Sequence, residues 1–150
     1  YGGKILAKAG GGGGGGGGSL SVPADWGVQY MEKVEVSSGA NESALRDQNP
    51  STHWQSNGRQ GTHFIQVTLR EAGVADLSII IDESDGNYCP HRVRVFAGPT
   101  AAALQDLGTI NTVTGTTGPK LVTMLKDARG VRVVKVVVED SGGGCDCKVR

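Results

Sequence analysis

The stretch 53–64 (HWQSNGRQGTHF) gathers side chains able to bind a ligand in a chain otherwise rich in small and β-branched residues. Turn formation explains part of it, because Trp54 can plug the end of a β-sandwich and Gly58 can take a positive φ. A turn does not need the hydrogen-bonding side chains beside them, which are Gln55, Arg59, Gln60 and His63. The stretch is therefore a candidate contact surface, and the alternative of solvated turn residues stays open.

Two other stretches, and one set of cysteine and histidine residues, carry partial motifs for metal or phosphate chemistry. Residues 82–91 (DESDGNYCPH) resemble a calcium loop, but Ser84 and Gly86 stand where such a loop needs Asp or Asn. Residues 141–146 (SGGGCD) resemble a phosphate loop but have no lysine and no helix to open. A zinc site would need ligands at atypical spacing, namely Cys89, His91, Cys145 and Cys147. We predict no metal and no cofactor.

Charge and apolar content disfavour several partner classes. The 15 basic residues balance the 15 acidic ones, and neither sign forms a long block that would hold a nucleic acid or an anionic membrane. No apolar run reaches the length of about 18 residues that spans a membrane, and the start lacks a secretory-signal pattern. The odd number of cysteines favours a reducing compartment, so we expect an intracellular protein of the cytoplasm or nucleus.

The first 19 residues differ in composition from the rest of the chain. The unbroken run Gly10–Gly18 has no side chains to bury, so we expect residues 1–19 to be a flexible head and residues 20–150 to be the folded domain. The head could be a native leader or a linker. It could also be a tethered ligand, YGGKILAKA, held near a binding surface at raised effective concentration.

The remainder has the pattern of an all-β fold, with short strands separated by turn residues. In residues 91–98, Val93 and Val95 would share one face, while the run ending at Asp82 suits a strand buried on both faces. The only stretches capable of a helical turn are 44–47 and 100–108. The predicted strands are 33–38, 63–69, 74–82, 91–98, 120–125, 131–140 and 145–150.

One group of motifs resembles a known family. Asp47 is followed by residues 51–58 (STHWQSNG) and then by a strand from His63, and the downstream markers are Tyr88, Pro90 and Gly98. This pattern resembles the DOC domain, whose family carries an acidic residue, a spacer, Thr-Tyr-Trp-Gln-Ser-Asp-Gly and a later Tyr-x-Pro. His53 and Asn57 replace the family's usual tyrosine and aspartate. The resemblance covers roughly residues 34–150.

The resemblance implies a jelly-roll β-sandwich of the galactose-binding-like superfamily, whose contact surface is formed by loops at one end. DOC domains occur inside large ubiquitin ligases of the cullin, HECT and RING types. By position, the loops that meet would be 55–63 and 139–146. The expected partner-binding residues are His53, Gln55, Ser56, Asn57, Gly58, Arg59, Gln60, His63, Ser141, Gly143, Gly144 and Asp146.

The function expected from this resemblance is a non-catalytic, monomeric protein-binding module that holds a substrate degron or a partner subunit. Carbohydrate binding is the alternative, because the superfamily takes its name from it. Sugar sites usually stack a ring on an exposed aromatic side chain, and Trp54 is better suited to the core. An enzyme is disfavoured because no nucleophile has an evident base and orienting acid beside it.

Overall fold

The chain is described by a computed structural model over residues 5–9, 27–39, 41–49, 52–56, 62–82, 89–115, 118–141 and 148–149. Two short 3-10 helices, Val28–Tyr30 and Glu42–Arg46, lie among the strands. No helix in these ranges is long and apolar enough to cross a membrane. The strands are β1 (Ile5–Ala9), β2 (Met31–Val36), β3 (Trp54–Gln55), β4 (His63–Asp82), β5 (Arg92–Gly98), β6 (Gln105–Asn111), β7 (Pro119–Asp140) and β8 (Lys148–Val149).

Two long antiparallel strands, β4 and β7, run through the centre of the fold. Their pairing shifts register at several points between Thr68 and Ser78, and such bulges bend a strand. The first part of β4 pairs with β2 on one side, and the last part of β7 pairs with β5, which in turn pairs with β6. The second part of β4 lies between β1 and the first part of β7. The bulges thus divide one continuous sheet into two regions.

A single buried cluster takes side chains from both regions of the sheet. On the β2 side, residues of β4 alternate between buried and half-buried from His63 to Leu69. Because both regions contribute to one core, they pack against each other as the layers of a β-sandwich. The core members include Val34, Ile65, Val67, Val93, Val95 and Val136 from the first region and Leu77, Ile79, Ile81, Met124 and Leu125 from the second.

The predicted all-β class is confirmed, and so are several local patterns. Val93 and Val95 are buried, whereas Arg92 is exposed and Arg94 is half-buried, as the alternation predicts. The run 79–82 is buried without interruption. The 3-10 helix Glu42–Arg46 confirms a helical turn near the predicted position.

Three predictions about secondary structure are wrong. Val28–Tyr30 forms a 3-10 helix, although only 44–47 and 100–108 were expected to be capable of a helical turn. The stretches 63–69 and 74–82 form one strand rather than two, and so do 120–125 and 131–140. Residues 105–108, expected in a helical turn, belong to β6. Pairing with β5 overrides the local helical preference there, because strand formation depends strongly on the neighbouring strand.

Part of the predicted flexible head is also a strand. Residues of β1 pair antiparallel with β4, from Ile5 opposite Ile79 to Ala9 opposite Ala75. The edge of β4 supplies the backbone N–H and C=O groups that such a strand needs, which a composition argument does not consider. Residues 1–4 and 10–26 lie outside the described ranges, so the domain boundary after residue 19 stays a prediction.

Candidate functional site

Strand β3 pairs with β8 and thereby joins the ends of two distant loops. Trp54 lies opposite Val149 and Gln55 lies opposite Lys148. Because the pair is antiparallel, the chain leaving Gln55 and the chain arriving at Lys148 are at the same end of it. The loop after β3 and the loop before β8 therefore start side by side, and we call such a pair of adjacent loop ends a shared root.

The other ends of both loops come to a second shared root. His63, the first residue of β4, lies opposite Val138 near the end of β7. The segments 56–62 and 139–147 thus begin and end between two pairs of neighbouring strands. Their central residues, 57–61 and 142–147, lie outside the described part of the chain. The register places the roots of the two predicted contact loops side by side.

Trp54 anchors this end of the sandwich. Its side chain is 0% exposed, and its Nε1 donates a hydrogen bond to the backbone oxygen of Ser38 at 2.9 Å. Leu45 of the 3-10 helix and Val149 of β8 are buried in the same hydrophobic cluster. The predicted core position of Trp54 is confirmed, and its indole N–H is satisfied, as a buried tryptophan requires.

Residues 37–39 brace the root from the side of β2. The Ser37 Oγ accepts a hydrogen bond from the backbone N–H of Phe64 at 3.0 Å. Gly39 has φ 105°, and a Cβ at that position would lie 1.9 Å from the backbone oxygen of Gln55. Gly39 was not among the predicted site residues, although its place after Ser37 and Ser38 at the end of a strand is a turn signal.

Asp47, the acidic residue of the family motif, orders the turn that leads into Trp54. Its carboxylate accepts hydrogen bonds from the backbone N–H of Asn49 at 2.8 Å and from the hydroxyl of Thr52 at 2.6 Å. These bonds resemble an Asx turn, in which a side chain replaces a backbone acceptor. In the described residues Asp47 therefore has a structural role.

A third segment, beginning at Cys89, reaches the same end. The backbone N–H of His91 donates a hydrogen bond to the backbone oxygen of Asp140 at 2.6 Å. On the other side, the Thr112 hydroxyl donates a hydrogen bond to the backbone oxygen of Pro90. Cys89 is a buried thiol. No group of three metal-ligating side chains occurs in the described residues. Cys145 and Cys147 of the zinc hypothesis, and Ser84 and Gly86 of the calcium-like loop, lie outside them.

The predicted partner-binding residues fall into three groups. His53 and Gln55 are described and half-buried at the root. Ser56, His63 and Ser141 are 1%, 9% and 6% exposed, which leaves little of these side chains for a partner to contact. His63 takes the first inward position of the β4 alternation. The others lie outside the described residues: Asn57, Gly58, Arg59, Gln60, Gly143, Gly144 and Asp146.

The charged side chains beside this end are engaged with each other. Arg94 bridges Asp106 at 2.6 Å and Glu139 at 3.6 Å, and Arg92 lies 3.7 Å from Glu139. The pKa of Asp106 is lowered, chiefly by the hydrogen bond from the Gly108 backbone N–H and also by Arg94. The two arginines are therefore held on the outer face of β5 and do not form an open anion site.

Known proteins resemble this chain in sequence over 121 to 123 residues. Human Cullin-9 is 34% identical over 123 residues, human Cullin-7 is 30% identical over 123, and the mouse E3 ubiquitin-protein ligase HERC2 is 31% identical over 121. Each alignment covers 79% of this chain but only 5%, 7% and 2% of the respective relative. The chain therefore corresponds to a small part of each of these long proteins.

Solved structures resemble it in fold. The family 32 carbohydrate-binding module of NanJ from C. perfringens, solved with galactose, has a TM-score of 0.60 at 17% identity, over 78% of this chain and 88% of that chain. The paired modules of Clostridium perfringens ZmpB, solved with GalNAc, give 0.63 at 14% identity, over 81% and 32%. These likenesses show the jelly-roll fold.

The family whose description is "Anaphase-promoting complex, subunit 10 (APC10)" matches residues 26–150. That match includes every described strand except β1. It also includes the motif from Asp47 to Gly58 and the roots of both end loops. The chain belongs to this family, that of the DOC domain.

Proposed function

We propose that this chain is a protein-binding module of a ubiquitin ligase, which recruits a substrate degron or a partner subunit through the loops 55–63 and 139–146. The shared roots of these loops carry the proposal, because strand pairing holds them together across more than seventy intervening residues. The relatives Cullin-9, Cullin-7 and HERC2 support the ligase context. In this proposal the module is non-catalytic and works inside the cell as a monomer.

The chemistry of the loops suits an exposed peptide. Glycine-rich segments present backbone N–H groups that bind carbonyl and carboxylate oxygens. The planar guanidinium of Arg59 has paired N–H donors that suit a carboxylate, and the side-chain amide of Gln60 can both donate and accept hydrogen bonds. Half-buried His53 offers a ring face beside them. Trp54 and Gly39 brace the described root of the first loop, and a pre-organised root lowers the entropy cost of binding.

The test is an amide-shift titration of the full chain with synthetic peptides taken from substrates of the Cullin-9 and HERC2 ligases. Arg59→Ala and Gly144→Trp should each weaken binding by about tenfold or more, with little change in melting temperature. Arg129→Ala, on an exposed part of β7, is the matched control and should bind as the wild type does. Equal binding by all variants would contradict the loop assignment.

Glycan binding is the alternative function, and the same variants distinguish it. Trp54, at 0% exposure, is not available to stack on a sugar ring. A glycan that binds the wild type but not Arg59→Ala on an array, together with no peptide response, would replace the proposal. Turnover of any substrate by the chain would contradict its non-catalytic part.

A further inference from the structure

Strand β1 occupies an edge of β4 that is separate from the end loops. Residues 75–79 of β4 have β7 on one side and β1 on the other, and five consecutive residues of β1 are in register with them. We propose that this edge is a second peptide-binding surface, which takes an extended strand from a partner protein and which the chain's own segment Ile5–Ala9 fills in cis. This inference does not depend on the function proposed for the loops.

Backbone pairing supplies the general part of the recognition. An extended peptide that adds to a sheet edge gains affinity from main-chain hydrogen bonds and specificity from the side chains that alternate along it. On the receiving strand, Ala75, Leu77 and Ile79 face the core, and Asp76 and Ser78 are half-buried on the other face. The receiving strand is therefore fixed by the core whether or not the edge is occupied.

A carboxylate supplies the charge preference. Asp76 lies opposite Lys8 in the register, and opposite charges at directly opposed positions stabilise a strand pair. The Oδ1 of Asp76 accepts a hydrogen bond from the backbone N–H of Asp127 at 2.6 Å, which fixes the carboxylate. A partner strand should therefore carry a basic residue opposite Asp76.

A cavity of about 250 Å³ lies where the register of β1 would continue. Extending the pairing past Ala9 opposite Ala75 would bring the next peptide residues opposite Val74 and Gly73. In the sequence, Ala9 is followed by Gly10 and Gly11, which have no side chain. A partner with a large apolar residue at one of these places would fill the cavity, whose lining includes Tyr30, Leu69, Val74 and Ala75.

The first test removes the cis strand from the full chain. In an antiparallel edge strand alternate residues donate to the neighbour, so the double substitution Leu6→Pro and Ala7→Pro deletes one such N–H in any register. Hydrogen exchange at the β1-facing amides of 75–79 should accelerate about tenfold or more, while exchange at 65–67 stays unchanged. The control, Gly14→Pro with Gly15→Pro, places the same two prolines outside β1. Unchanged exchange at 75–79 would overturn the proposal.

The second test supplies a strand in trans to that double variant. The probe is a synthetic KILAKALL peptide. It is compared with KILAKAGG, which has the sequence of residues 4–11 of this chain. The leucine peptide should bind about tenfold more tightly, as expected for burying one large apolar side chain, with shifts at 74–79 and Tyr30. It should bind the wild-type chain more weakly than the double variant, because the tethered segment competes.

A charge variant checks the register. Asp76→Asn keeps an oxygen for the Asp127 N–H but removes the charge. It should therefore weaken the binding of KILAKALL by several-fold and leave the binding of KILAQALL unaffected. The proposal fails if the double variant binds neither peptide, or binds KILAKALL and KILAKAGG equally. It also fails if the wild-type chain and the double variant bind KILAKALL with equal affinity, or if the amide shifts on binding fall around Gln55. It also fails if Asp76→Asn affects the Lys and Gln peptides alike.

Discussion

The loop end and the β4 edge present two different ways of building a contact surface. At the loop end, two side chains brace the backbone through hydrogen bonds: the Trp54 indole donates to the Ser38 oxygen, and the Ser37 hydroxyl accepts from the Phe64 N–H. The backbone of Gly39 also packs closely against that of Gln55. At the edge, backbone pairing provides the contact, and the core face of β4 holds the strand in place. Substitutions of bracing side chains should therefore damage the first region far more than equivalent changes damage the second.

The largest effect is expected from Trp54→Ala, which breaks the loop end. Removing a fully buried indole should lower the free energy of unfolding by about 3 to 5 kcal/mol, measured by urea denaturation. Trp54→Phe keeps a ring in the core but loses the bond to Ser38, so its loss should be smaller. Equal and small losses for both variants would show that Trp54 does not anchor this end.

Next in size is Gly39→Ala, which sharpens the role of close backbone packing. A positive φ costs a non-glycine residue about 1 to 2 kcal/mol, and the clash with the Gln55 oxygen should add about 1 to 3 kcal/mol. Gly115→Ala is the matched control, because Gly115 also has a positive φ, +77°, but nothing lies within 4 Å of its Cβ. Similar losses of unfolding free energy for the two variants would contradict the packing argument.

Ser37→Ala compares the two regions directly. It leaves the backbone N–H of Phe64 without its hydroxyl acceptor, so about 1 to 2 kcal/mol of unfolding free energy should be lost. Ser78→Ala, a change of the same kind on the outer face of the β4 edge, should cost no more than about 0.5 kcal/mol. An equal cost at Ser78, again measured with urea, would remove the distinction between the regions.

The smallest effect is expected at Asp106, which lies in neither region. Its pKa is lowered below the ordinary value of 3.8, first by the Gly108 N–H and then by Arg94. A lowered folded-state pKa contributes stability above the unfolded-state value, and this contribution is lost as the pH falls through the folded-state value. Asp106→Asn should therefore lower the melting temperature slightly at pH 7 and leave it nearly equal to wild type near pH 2. A difference that grows at acid pH would reverse the assignment.

Local patterns predicted most of the strands. The alternation around Ile65, Val93 and Val95 matched their burial, because a strand's side-chain period of two is a property of the sequence. The same patterns did not reveal that 63–69 and 74–82 form one strand, since Gly73 between them is a residue that turns favour. The pairing partner β7 decides whether such a stretch is a bulge or a break.

The candidate site was predictable in part. The motif around Trp54 indicated the family and the core position of Trp54, because a large aromatic among turn residues has few other roles. Burial of Ser56, His63 and Ser141 was not predictable, since it depends on how segments distant in sequence pack around each residue. The bracing role of Gly39 likewise depends on Gln55, sixteen positions away in the sequence.

The all-β class, the family and the alternating core positions could be predicted from the residues alone, because they follow from side-chain chemistry and short-range spacing. The tertiary structure alone decided that Gln55 meets Lys148, that His63 meets Val138 and that Ile5–Ala9 lies on the edge of β4. The physical reason is that strand pairing uses backbone groups every residue possesses. Register between distant segments is therefore fixed by packing of the whole core rather than by local residue types.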